Sequence, residues 1–79
     1  MLYGIVDIGS NTVKLNVYRC DDDIKVVFSK KDNLGLVFYI KRGKLTNTGI
    51  EKLITVLKKI KKDFDYLNIE SYRFFLQLH

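Results

Sequence analysis

The stretch that decides the fold spans residues 3–18 and reads Tyr3-Gly4-Ile5-Val6-Asp7-Ile8-Gly9-Ser10-Asn11-Thr12-Val13-Lys14-Leu15-Asn16-Val17-Tyr18. Its first part, residues 3–8, is nearly all apolar, which is typical of a strand covered on both faces. Its second part, residues 12–18, alternates apolar and polar side chains, which is typical of a half-buried strand. The stretch therefore predicts two strands joined by a tight loop.

The predicted loop carries the residues with the clearest chemical potential. Gly9, Ser10 and Asn11 are residue types that tolerate a positive φ or bond their own backbone. A run of N–H groups in such a turn forms a concave nest that suits an oxyanion. Asp7 lies where it could hold a hydrated Mg²⁺ against that anion, because Mg²⁺ favours one or two carboxylates plus waters and phosphate oxygens. On spacing alone, the same residues also fit a purely structural β-turn, so both interpretations stay open.

Residues 5–15 closely resemble the opening of the exopolyphosphatase / guanosine pentaphosphate phosphatase (Ppx/GppA) family of the actin-like ATPase and sugar kinase superfamily. In that family an Asp-Ile-Gly-Ser-Asn segment is the first phosphate-binding loop. The resemblance implies that Asp7 faces the metal, with Mg²⁺ as the cofactor, and that Gly9, Ser10 and Asn11 bind phosphate. Lys14 occupies a position that is often basic in the family, and we assign it no catalytic role.

The rest of the chain predicts two more strands and a helix. Residues 20–23 predict a turn, and residues 24–29 predict a third strand in which Ile24, Val26 and Phe28 share one face and which ends at residues 30–33. Residues 34–40 carry no clear pattern. Thr46 or Asn47 is the expected N-cap of a helix that runs to about Tyr66. Residues 72–78 read as a fourth strand.

These elements predict an α/β fold: an antiparallel three-strand meander, one crossover helix and a fourth strand parallel to the first. The resemblance implies the strand order third-second-first-fourth, as part of a ribonuclease H-like or actin-like ATPase domain. It also implies that residues 1–79 are the incomplete N-terminal half that carries the first phosphate loop. We expect one face of this sheet to lie bare, and that face or the edge of the fourth strand offers an interface for a homodimer.

The predicted helix has an apolar stripe that we expect to face the core. Its members recur at helical spacing: Ile50, Leu53, Ile54, Leu57, Ile60 and Phe64. Lysines flank or oppose the stripe, and most are expected to be solvated. They leave open the alternative of a small basic module that binds nucleic acid or another polyanion.

Composition limits the class of protein. The chain has 79 residues, a net charge of +5, one cysteine and no proline. It has no apolar stretch long enough for a membrane span and no pattern of a secretory signal, so we expect no membrane partner. Cys20 cannot form an internal disulfide, which fits a reducing cytoplasm. His79, the only histidine, is the last residue, and we expect it to have no role.

The resemblance implies a Mg²⁺-dependent phosphatase that hydrolyses terminal phosphates of polyphosphate or guanosine pentaphosphate. The family's catalytic base and second phosphate loop have no counterpart in these 79 residues, so we expect this chain to be inactive alone. Residues 76–79 depart from the family, and we expect an N-terminal fragment of a longer gene product that ends at a frameshift. Half-domains of related ATPases or sugar kinases are the alternative within the superfamily, and we expect no nucleic-acid partner.

Overall fold

The computed structural model describes residues 1–77. Its regular elements follow the chain as β1 (Leu2–Gly9), β2 (Thr12–Cys20), β3 (Ile24–Asn33), a 3-10 helix (Leu36–Tyr39), β4 (Ile40–Lys41), β5 (Lys44–Leu45), α1 (Asn47–Leu67) and β6 (Ser71–Gln77). The main sheet has the order β3-β2-β1-β6, and β6 runs parallel to β1. The predicted fold class is therefore confirmed. Leu78, the last residue of the predicted fourth strand, and His79 lie outside the described residues.

The first two strands form the centre of the core, as their sequence pattern predicts. Val6 and Ile8 of β1 are buried, and so are the alternating apolar residues Val13, Leu15 and Val17 of β2. The register pairs Val6 with Leu15, which places these side chains on one face of the sheet. That face is the one that α1 covers.

The third strand is longer than the sequence predicts. Residues 30–33 continue the ladder with β2 rather than ending it. Lys30 lies beside Leu15 on the core face, where its Nζ reaches Asp63 Oδ2 of α1 at 3.4 Å. The run of charged residues therefore belongs to a strand, and one of its lysines forms an ion pair with an acid of the helix.

A register shift between Val17 and Tyr18 corrects the predicted alternation of β3. Val17 pairs with Phe28, whereas Tyr18 pairs with Val26, so Val27 is an extra residue in the strand. Phe28 consequently faces the core, while Val26 points to the opposite face and is 55% exposed. The prediction that Ile24, Val26 and Phe28 share one face is wrong for this reason.

The helix begins where the sequence predicts. Thr46 is its N-cap, and the Thr46 Oγ1 accepts a hydrogen bond from the Gly49 N–H at 3.2 Å. The helix ends at Leu67, and Asn68 follows in the left-handed conformation with φ 57°. The predicted N-cap and length are confirmed.

The predicted apolar stripe of α1 is confirmed in part. Ile60 and Phe64 are buried, and Leu53 and Leu57 are partly buried against the core. Ile50 and Ile54, however, are 42% and 44% exposed, and Val56, which lies outside the predicted stripe, is buried. Gly49 is buried as well, and a Cβ there would lie 2.6 Å from the Cβ of Tyr39, so the start of the helix lies close against the segment that precedes it.

The other face of the sheet carries no helix in residues 1–77. On this open face Phe75 of β6 lies beside Asp7 and is 49% exposed. The bare face agrees with expectation, and the homodimer stays a prediction. No helix within the described part of the chain is both long enough and apolar enough to cross a membrane.

Candidate phosphate-binding site

The loop between β1 and β2 consists of only two residues, Ser10 and Asn11, and backbone hydrogen bonds connect it to the 34–37 segment. The Ser10 carbonyl accepts a hydrogen bond from the Val37 N–H at 2.7 Å. The Asn11 carbonyl accepts two, from Leu34 N at 2.8 Å and Gly35 N at 3.0 Å. Both carbonyl oxygens are therefore turned toward the 34–37 segment, which fixes the loop.

The loop does not use the left-handed backbone that its residue types allow. Within residues 1–77, a positive φ occurs at Gly35, Arg42, Gly43 and Asn68, and not at Gly9 or in the loop. The part of the nest prediction that relied on a positive φ is therefore wrong. Gly9 is also not needed for packing, because a Cβ there would meet only the Thr12 carbonyl oxygen, at 3.6 Å. What glycine provides at this position is an open approach to the backbone.

All four residues singled out in the sequence lie around one pocket of about 560 Å³. The lining consists of Asp7, Ile8, Gly9, Ser10, Asn11, Thr12, Lys14, Phe75 and Gln77. The pocket lies at the carboxyl end of β1, on the face opposite α1, and the Asp7 side chain is exposed to it. The structure thus brings the predicted residues together in a concave, solvent-accessible site.

Sequence reasoning missed the contribution of β6 to this pocket. The parallel register places Phe75 beside Asp7 and Gln77 beside Gly9, so both lie at the pocket wall. The predicted crossover implies some parallel register, but only the structure fixes which residues are neighbours. Lys14, to which the sequence assigned no catalytic role, lies directly opposite Asp7 on β2 and also lines the pocket.

Comparison with solved structures shows which proteins this chain resembles. A crystal structure of the Ppx/GppA family member of Aquifex aeolicus aligns with a TM-score of 0.87 and 27% identity over 96% of this chain. The resemblance to the Ppx/GppA family is confirmed. A second structure of the Aquifex aeolicus Ppx-GppA enzyme aligns at 28% identity over 96% of this chain, with a TM-score of 0.85.

An exopolyphosphatase from Cytophaga hutchinsonii aligns over 96% of this chain with a TM-score of 0.88 and 22% identity, which supports the fold alone. The chain spans about a quarter of the length of these Ppx/GppA structures: 26% of each Aquifex aeolicus chain and 25% of the Cytophaga hutchinsonii chain. No protein-family model matches the chain, and no curated protein matches it.

The residues of this Ppx/GppA-like loop fit a magnesium ion that is held mainly by water and phosphate. Asp7 offers one exposed carboxylate, and Ser10 and Asn11 line the same pocket. Within residues 1–77 there is no group of three or more acidic, histidine or cysteine side chains that could hold a metal by themselves. One or two carboxylates with waters and phosphate oxygens is an arrangement that Mg²⁺ commonly adopts, and Asp7 could supply one such carboxylate.

Proposed function

We propose that residues 1–79 form the half of an actin-like ATPase-type domain that carries the first phosphate loop of a Mg²⁺-dependent phosphatase. The substrates would be polyphosphate or guanosine pentaphosphate, cleaved at a terminal phosphate. One observation carries the proposal: Asp7, Gly9, Ser10 and Asn11 line a single pocket in a chain that aligns with Ppx/GppA proteins over 96% of its length.

Each of these residues has a distinct role in the proposal. The Asp7 carboxylate would hold Mg²⁺ through water, and the bound ion would neutralise charge on the phosphate oxygens. The Ser10 hydroxyl and the Asn11 side-chain amide would donate hydrogen bonds to the same phosphate. Gly9 would let a phosphate approach the backbone. The base that activates the attacking water is assigned to no residue of this chain, so we expect it to bind phosphate without turnover.

The test is calorimetric titration of the 79-residue chain with inorganic pyrophosphate, with Mg²⁺ and with a chelator. We expect binding that depends on Mg²⁺. The Asp7→Asn variant should lower the affinity by roughly tenfold to a hundredfold, because contacts to charged groups contribute about 1.5–3 kcal/mol. A matched control is Asp22→Asn, which removes an exposed carboxylate from the turn between β2 and β3.

Two results would contradict the proposal. Equal affinity with and without Mg²⁺ would show that the metal takes no part in phosphate binding. An equal loss in the Asp7→Asn and Asp22→Asn variants would mean that net charge, rather than the pocket, controls binding.

A further inference from the structure

The two halves of the open face of the sheet differ in composition. On β1 and β6 the apolar side chains of Tyr3, Ile5 and Phe75 are mixed with the polar side chains of Asp7, Arg73 and Gln77. On the facing positions of β2 and β3, from the loop to the pair Asn16–Ser29, every side chain is polar: Thr12, Lys14, Asn16, Ser29, Lys31 and Asn33. This second half, which we call the polar patch, needs no apolar cover.

Two lysines lie side by side in the polar patch. Lys14 of β2 is the direct cross-strand partner of Lys31 of β3, and both side chains are exposed. Like charges that face each other across neighbouring strands are destabilising. Among residues 1–77, neither of these two ammonium groups takes part in an ion pair; the lysines that do are Lys30 and Lys61. The acid nearest to this pair in the ladder is Asp7, the cross-strand neighbour of Lys14 on β1, and it lies on the side of Lys14 away from Lys31.

The neighbouring pair shows that this part of the sheet is ordered around the lysines. Ser29 Oγ donates a hydrogen bond to Asn16 Oδ1 at 2.7 Å across the same two strands. A shallow pocket of about 220 Å³ lies between these pairs, lined by Lys14, Asn16, Ser29, Lys30 and Lys31. The ladder fixes the backbone positions of Lys14 and Lys31, so both side chains start from neighbouring positions on the same face.

Lys14 connects this shallow pocket to the loop pocket, since its side chain lines both. We propose that Lys14 and Lys31 form a second anion subsite, which takes the next phosphates of a linear inorganic polyphosphate whose terminal phosphate lies at the Gly9–Asn11 loop. The inference rests on the proposed function. A nucleoside fits this patch poorly, because stacking of a base needs an aromatic side chain and the polar patch has none.

Titration of the 79-residue chain with pyrophosphate, tripolyphosphate and a longer polyphosphate of defined length, in Mg²⁺, tests this subsite. We expect wild-type affinity to increase with chain length. Lys31→Gln should lower the affinity for the longest chain by about threefold to tenfold while leaving pyrophosphate binding unchanged, since only the longer ligand reaches Lys31. Lys31→Arg should retain the increase in affinity with chain length. Lys58→Gln, which removes an exposed lysine from α1, is the matched control.

The possible failures can be told apart. If wild type binds pyrophosphate but gains nothing with length, or if Lys58→Gln matches Lys31→Gln, the subsite is refuted and the proposed function stands. If a single-stranded RNA at equal phosphate concentration displaces the polyphosphate, the patch is a general polyanion surface and the subsite is refuted. If wild type binds no pyrophosphate, the proposed function fails and the subsite fails with it.

Discussion

The ring of Phe64 fills the space where a side chain at Gly4 would begin. A Cβ at Gly4 would lie 2.8 Å from Cε1 and 2.9 Å from Cζ of Phe64. The ring is fully buried and stacks on Tyr72 with a centroid distance of 4.6 Å, so it cannot move aside without loss of packing. The close approach of α1 to β1 therefore depends on a glycine within a strand.

We expect Gly4→Ala to destabilise the fold by about 1–3 kcal/mol, the usual effect of overpacking a core. This outcome is opposite to the small gain that alanine gives over glycine from chain entropy alone. Urea denaturation measures it. In the Phe64→Leu background the same substitution should lower the stability by less, and strictly additive effects of the two substitutions would contradict the proposed contact.

Gly9→Ala should lower the affinity for phosphate and leave the stability of the fold almost unchanged. The added Cβ makes only an ordinary contact with the Thr12 carbonyl, so the free energy of unfolding should change by less than about 0.5 kcal/mol. Residues 7 and 9 of β1 share a face, so the methyl group would enter the pocket beside Asp7. We expect the affinity for Mg²⁺-pyrophosphate to fall by about tenfold, which corresponds to about 1.4 kcal/mol. Unchanged affinity in calorimetry would show that phosphate does not approach the backbone at Gly9.

The N-cap of α1 gives a prediction that depends on local structure alone. Thr46→Ala removes the hydroxyl that accepts from the Gly49 N–H, and should lower the stability by about 1 kcal/mol. Thr55→Ala is the matched control, because the Thr55 hydroxyl bonds only the Glu51 carbonyl on an exposed part of the helix. That variant should be neutral or slightly stabilising, since alanine has the higher helix propensity. Thermal denaturation followed by circular dichroism distinguishes the two, and equal changes would argue against the cap.

The ion pair between Lys61 and Asp65 predicts a raised pKa for the Lys61 side chain. The Lys61 Nζ donates to Asp65 Oδ1 at 2.8 Å, and this hydrogen bond, followed by the charge of Asp65, raises the pKa of Lys61 above its usual 10.5. A raised pKa in the folded state means that the contribution to stability is complete below 10.5 and is lost as the pH rises through the folded value. NMR titration of the Lys61 side chain should show the raised pKa, and Asp65→Asn should return it to the usual value. Because the pair is exposed, we expect little effect on overall stability.

The sequence predicts the elements of this fold better than the way they face each other. The limits of α1 follow from Thr46 and from the helical period, which are local features. Which side chains of α1 face the core does not follow from the local sequence. The start of the helix lies against Tyr39, which belongs to a segment without a recognisable pattern. The end of β3 differs from the prediction for the same kind of reason: the charged residues 30–33 are typical of a turn, whereas their place in the strand comes from pairing with β2 and, for Lys30, a contact with the distant Asp63.

In the candidate site, too, the local features can be predicted from the sequence and the contacts between distant segments cannot. Asp7, Gly9, Ser10 and Asn11 are contiguous, and two adjoining strands are enough to bring them to one end of the sheet. Phe75 and Gln77 reach the pocket through a parallel pairing with residues almost seventy positions earlier, and the sequence does not specify that register. The role inferred for Lys14 needs its partner Lys31. Their pairing could not be predicted, because the sequence pattern ends β3 before Lys31.

The hydrogen bonds from the 34–37 segment to the carbonyls of Ser10 and Asn11 have a consequence for protein engineering. The loop is not an independent hairpin tip, and a graft of the β1–β2 hairpin alone into another scaffold would leave those carbonyls without their donors. A transplantable unit must therefore extend at least over residues 2–39, which include both strands, β3 and the 3-10 helix that follows it.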